Sequence, residues 1–153
     1  MTEERVFDGV ESVKAAVGEH IGYSDWLEIT QERVNQFAEA TGDHQWIHVD
    51  EARAAASPFG GTIAHGYLTL SLTSYFALQI ARYEGFSMAV NYGADKVRFI
   101  TPVPVGKRVR CGAELLEVTD VSGGIQTKIL LTVEIEGVKK PACVIESLTR
   151  WLV

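Results

Sequence analysis

Little in this 153-residue chain points towards disulfides, thiolate metal sites, membranes or nucleic acid. Two cysteines, Cys111 and Cys143, are too few for a disulfide framework and form no metal-type pair. They read as reduced, half-buried strand residues of a cytoplasmic protein. The longest apolar stretch, residues 67–81, is broken by Thr69, Ser71, Thr73, Ser74 and Gln79, which suits a buried core helix rather than a membrane span. Residues 1–10 carry Glu3, Glu4 and Asp8 with no apolar run, which excludes a signal peptide there. Basic residues are outnumbered 14 to 20 by acidic ones, for a net charge of -6. Phosphate backbones repel such a chain, so nucleic acid is not an expected partner. Internal repeats, linkers and low-complexity segments are also missing.

What is present is a globular composition, 46% hydrophobic, of a length that suits one domain over residues 1–153. Residues 10–17 read as a short helix with Val10, Val13, Ala16 and Val17 on one face, and residues 26–29 as a first strand. Thr30 is a helix N-cap, Val34, Phe37, Ala38 and Thr41 recur at helical spacing, and Gly42 is a left-handed stop. Residues 43–48 then follow as an irregular segment, and Asp50 caps a short alanine-rich helix over residues 51–56. From Gly66 to about residue 84 the pattern is apolar on nearly all sides, which predicts a central helix roughly 28 Å long. After Gly85 the period becomes two. Strands are expected at residues 88–91, 96–100, 107–118, 125–135 and 142–151, with a hairpin turn over 121–124. Short turns mean antiparallel pairing, and helices followed by strands give an α+β fold. The sheet needs a cover and the long helix a wrapping, so each buries the other.

The chemical candidates cluster between residues 37 and 66. Asp43 and His48 can reach one water molecule, take a proton from it and return one to a substrate carbon. Equally, Asp43 can bond local backbone amides while His48 is an ordinary loop histidine. His44 and His48 lie four apart, but Gly42 and the irregular segment argue against the helix a metal pair needs, and no third ligand is evident; no metal is expected. His20 reads as a surface loop residue, and His65 either helps the start of the long helix or lines the site. Gly66 opens that helix, so its amide lacks an internal partner and can hold an oxyanion; alternatively the glycine only permits close packing. Lys96, Arg98, Lys107, Arg108, Lys139 and Lys140 either bind phosphates or are solvated strand charges, and Trp46, Phe86 and Tyr92 either shape a pocket or belong to the core.

The segment from Phe37 through Gly42-Asp43 to Ile47-His48 resembles the hydratase 2 motif of the MaoC-like (R)-specific enoyl-CoA hydratases. Ile63-Ala64-His65-Gly66 looks like that family's start of the central helix, and residues 97–106 look like its strand and Pro-Val-Gly turn. The likeness is greatest to the short, nodulation protein N-like branch. It implies a hot-dog fold, a sheet curled around a long helix, and a homodimer joined edge to edge. The implied reaction is reversible syn hydration of a trans-2-enoyl-CoA to the (R)-3-hydroxyacyl-CoA, in fatty acid metabolism, on coenzyme A or acyl-carrier-protein thioesters. By the same resemblance Asp43 and His48 handle the water, the Gly66 amide holds the thioester oxygen, and Gln45, His65 and Arg98 bind substrate, with no cofactor. The family's Asn-Pro is Gln45-Trp46 here, which removes a rigid backbone constraint. A hot-dog acyl-CoA thioesterase and a non-catalytic acyl-binding protein are the alternatives.

Overall fold

The computed structural model describes residues 3–153; Met1 and Thr2, part of the stretch read above for a signal peptide, lie outside the described residues. The alternation of Ile125, Thr127, Leu131, Val133 and Ile135 buries one face of strand β7, here Gly124–Ile135 once the elements are numbered in chain order. The order begins β1 (Arg5–Asp8), α1 (Gly9–Ala15), β2 (His20–Tyr23), β3 (Leu27–Glu28), α2 (Gln31–Thr41), α3 (Trp46–Val49) and α4 (Glu51–Ala55). It continues α5 (Gly66–Ile80), β4 (Ala81–Glu84), β5 (Met88–Phe99), β6 (Arg108–Val121), β7 and β8 (Cys143–Leu152).

The main sheet runs β2-β6-β7-β8-β5, with β3 also on β6, and its pairs are antiparallel. It curls around α5, whose inner face buries Leu68, Leu72, Phe76 and Ile80 with Val109, Leu115, Leu131 and Ile145 of the strands. The expected α+β arrangement of sheet around helix is therefore present. The capping signals also act as read. The Thr30 hydroxyl accepts from the Arg33 amide, Gly42 takes φ 82°, and Asp50 accepts from the Arg53 amide at 3.0 Å.

Several expectations need correction. Helix α5 has 15 residues, about 22 Å at 1.5 Å each, not the 28 Å expected. The chain passes directly from Ile80 into β4, which pairs in parallel with β1 and packs Tyr83 on Phe7 with ring centroids 5.0 Å apart. Neither strand was foreseen, because four residues are too few to show a period and their partners lie far along the chain. The outer face of α5 is not covered: Tyr67, Tyr75 and Leu78 are exposed. The two strands expected at 88–91 and 96–100 are one strand, β5, whose register shifts near Gly93 and near Lys96 break the sequence period. Val17 and Thr41 are exposed rather than inward. Cys111 and Cys143 are fully buried, not half-buried, on either side of Val133, and burial pushes their thiols up to about 12 and about 11. Among the described residues no helix is long and apolar enough to cross a membrane.

Candidate active site

The site starts where α2 stops. Beyond Gly42 the Asp43 carboxylate accepts the Gln45 amide at 3.3 Å, closing a short polar turn. Gln45 then opens α3, so residues 43–48 are not irregular throughout as expected. That single helical turn points His48 inward, where it is 6% exposed. Its Nδ1–H donates to the Ile63 carbonyl at 2.7 Å. A carbonyl only accepts, so the proton belongs on Nδ1 and the neutral ring keeps its lone pair on Nε2. Burial lowers the His48 pKa below the usual histidine value, with the Ile63 bond opposing, His65 adding to the fall and Asp43 opposing it.

His65 is the N-cap of α5 and is buried. Its Nε2–H donates to the backbone carbonyl of Asp43 at 3.0 Å. Its ring stacks on His48, centroids 3.8 Å apart and planes 22° from parallel, and leans on Phe37 at 4.9 Å. Asp43, His48 and His65 each bring an atom able to ligate a metal, all within 4.8 Å of one another. His65 is thus the third such group that the sequence did not reveal, while His44 stands apart, exposed and 3.8 Å from Glu39. Gly66 follows His65 as the first residue of α5, so its N–H has no carbonyl one turn earlier within the helix. The Phe99 ring lies against its α-carbon, where an added Cβ would come within 3.1 Å. Close packing is therefore one real use of this glycine.

The loops are braced from outside. Ile63 donates to the Ile47 carbonyl, Ala64 to Val103 and Thr62 accepts from Val105 through its carbonyl, all backbone bonds of 2.8–3.0 Å. Gln31 donates to the His48 carbonyl at 2.8 Å and accepts the Thr62 hydroxyl at 2.6 Å. This residue was missed, and no local signal marks it, since its partners are 17 and 31 residues away. Gln45 contributes its backbone, and its side chain is exposed. With φ -56° and ψ 138° it still has the extended geometry that precedes a proline, and Trp46 occupies the first helical position where proline fits. The turn survives the exchange of Asn-Pro for Gln-Trp; Trp46 instead carries the Arg53 guanidinium 4.2 Å over its ring.

Other candidates lie elsewhere. Arg98 is exposed on β5 and donates to the Val97 carbonyl. Lys96, Lys107, Lys139 and Lys140 are exposed, and Arg108 pairs with Glu136. His20 is exposed but lies in β2, not in a loop, against the Tyr23 ring. Tyr92 lies under Arg150, and Phe86 packs near Trp151. Trp151 lines a cavity of about 560 Å³ between α5 and the sheet, walled by Thr73, Ser74 and Ala77 on one side and Leu131, Ser147 and Thr149 on the other. Thr73 is seven residues beyond Gly66, roughly 10 Å along the helix, so the cavity and the polar cluster are separate.

Residues 12–137 match the family model described as MaoC like domain. The chain is 54% identical over 149 residues to 3-hydroxyacyl-thioester dehydratase Z of Mycobacterium tuberculosis, covering 97% of this chain and 99% of that protein. It is 47% identical over 133 residues to Nodulation protein N of Rhizobium meliloti, covering 85% and 83%. The solved structure of R-hydratase PhaJ1 from Pseudomonas aeruginosa superposes with a TM-score of 0.72 at 24% identity, covering 89% of this chain and 81% of that one. That last likeness shows the hot-dog fold alone.

Proposed function

The chain belongs to the MaoC-like dehydratase family, and on that premise we propose that it is an (R)-specific enoyl-CoA hydratase working reversibly on acyl thioesters in fatty acid metabolism. The mycobacterial relative's name supports the thioester dehydratase class. The observation that carries the reading is the pairing of Asp43 and His48, whose Nε2 lone pair is free, beside the opening amide of α5. In the hydration direction, one water O–H is held by the Asp43 carboxylate and the other by His48 Nε2. As the water oxygen bonds to C3, one of these groups takes its proton. The C2–C3 π electrons move into an enolate, whose oxygen accepts the Gly66 N–H. C2 then takes a proton on the same face, and the net change is one added water. The thioester already acidifies C2, so the scheme asks for no metal or redox cofactor. The acyl chain would run along α5 into the 560 Å³ cavity, a size within the usual ligand range of about 300–1,000 Å³.

The reading takes residues 1–153 as one cytoplasmic domain, with coenzyme A and acyl-carrier-protein thioesters both open as substrates. It includes a homodimer. Strand β5 ends the sheet, pairs only with β8 among the described residues, and exposes Met88, Val90 and Tyr92. A long unpaired apolar edge of this kind favours a second copy. The direct test is crotonyl-CoA hydration with product identification. Asp43→Asn and His48→Gln should each lower kcat by about 10²–10⁴ while the circular dichroism spectrum is kept. Wild-type turnover in either variant would remove the assigned role. Free coenzyme A without hydrated product would mean hydrolysis instead.

A further inference from the structure

His65 is 3% exposed, and its Nδ1 has no hydrogen-bond partner among the described residues. An unmet buried acceptor is unfavourable, so an apolar ring would fill the same space at less cost. The polar ring nevertheless makes two contacts that converge on the chemistry. Its Nε2–H holds the Asp43 carbonyl, and its face holds the face of His48. The other hydrogen bonds of Asp43 among the described residues, to Thr41 and Gln45, reach two residues along the chain and fix only the shape of the turn. The His65 bond spans 22 residues and anchors the turn to the start of α5. The next residue is Gly66 itself.

We propose that His65 is a positioning residue, one buried side chain that sets Asp43 and His48 against each other and against the Gly66 amide. The proposal rests on the hydratase reading above. It does not assign His65 to the substrate. It explains why a position that leaves an acceptor unmet carries histidine: the donor on the far side of the ring does the work. Misplacing a reacting group by about 1 Å can cost on the order of a hundredfold in rate.

The test compares His65→Phe and His65→Gln with wild type on crotonyl-CoA, using the full chain as purified. Phenylalanine keeps a ring on His48 and removes both nitrogens. Glutamine keeps an N–H able to reach the Asp43 carbonyl. We expect His65→Phe to lose about ten- to a hundredfold in kcat with KM within about threefold of wild type. Its Tm should stay within about 2 °C of wild type or rise, because the unmet acceptor is gone. His65→Gln should recover to within about tenfold of wild type. Should the phenylalanine variant not fold, His65→Leu takes its place in the same comparison. Wild-type kcat without the donor overturns the proposal, and so does equal loss in the donor-free variant and His65→Gln. Wild-type protein that fails to hydrate any enoyl thioester removes the hydratase reading and this proposal together. Active wild type with an unaffected donor-free variant removes this proposal alone.

Discussion

Gly66 admits two uses, an oxyanion donor and a site of close packing, and a pair of substitutions separates them. Gly66→Ala places a Cβ within 3.1 Å of Phe99 Cγ and Cδ2, tighter than ordinary carbon contact, so the ring must shift by a few tenths of an ångström. Overpacking of this kind costs about 1–3 kcal/mol, offset by up to about 1 kcal/mol from replacing a glycine. The net loss of about 0–3 kcal/mol corresponds to a Tm fall of at most about 12 °C for a chain of this size. Gly66→Pro brings the same Cβ but removes the N–H. The backbone accepts it: Gly66 is the first helical residue, where proline is favoured, and His65 before it has φ -59° and ψ 139°, the extended geometry that proline requires of its predecessor. The two variants therefore share the added Cβ and differ at the nitrogen, where proline loses the donor and carries Cδ in its place. With thermal melts to show comparable folding, kcat for crotonyl-CoA hydration should be about 10²–10³ lower in Gly66→Pro than in Gly66→Ala. Equal kcat values in the two would refute an oxyanion role for this amide and leave packing against Phe99 as its use.

Two further outcomes follow from buried titratable groups. In the proposed mechanism His48 is a base in its neutral form, and burial holds its pKa below the ordinary histidine value of about 6.5, so the acid limb of the kcat profile should lie below that value. Stability has the same sign: the unfolded chain protonates first, so the contribution present above 6.5 is lost as pH falls towards the folded value. Kinetics and melts from about pH 8 to about pH 5 check both, and an acid limb above 6.5 would contradict the burial argument. Cys111 and Cys143, with thiols pushed up to about 12 and about 11, should resist an aromatic disulfide reagent in the native protein and both react after unfolding. Rapid native labelling would mean that the strands open far more readily than their packing implies.

The parts legible in the sequence were those written in local chemistry. Thr30 and Gly42 bound α2 because capping depends on a few neighbouring residues, and β7 shows its buried face because its alternation runs unbroken over a long strand. Asp43, His48 and Gly66 could be picked out as chemical groups placed next to a helix stop and a helix start. The role of His65 could not, since it depends on a loop 22 residues away and a ring 17 positions earlier folding against it. Gln31 was silent for the same reason. The β1–β4 pair was hidden because each strand is short and its register is set by Phe7 meeting Tyr83 across the fold. Arg98 lies exposed on the edge strand β5, a placement that the pattern of residues 97–106 did not reveal.

That edge has a bearing on solubility. Among the described residues the main sheet has one long open side, the 12 residues of β5, while the other side ends in the short β2 and β3, with an irregular register in β2 between His20 and Gly22. Two copies joined through β5 about a twofold axis would use up both long edges at once. What remains outside is short and irregular, a poor template for a third copy, so such pairing ends at two and does not propagate into a fibre.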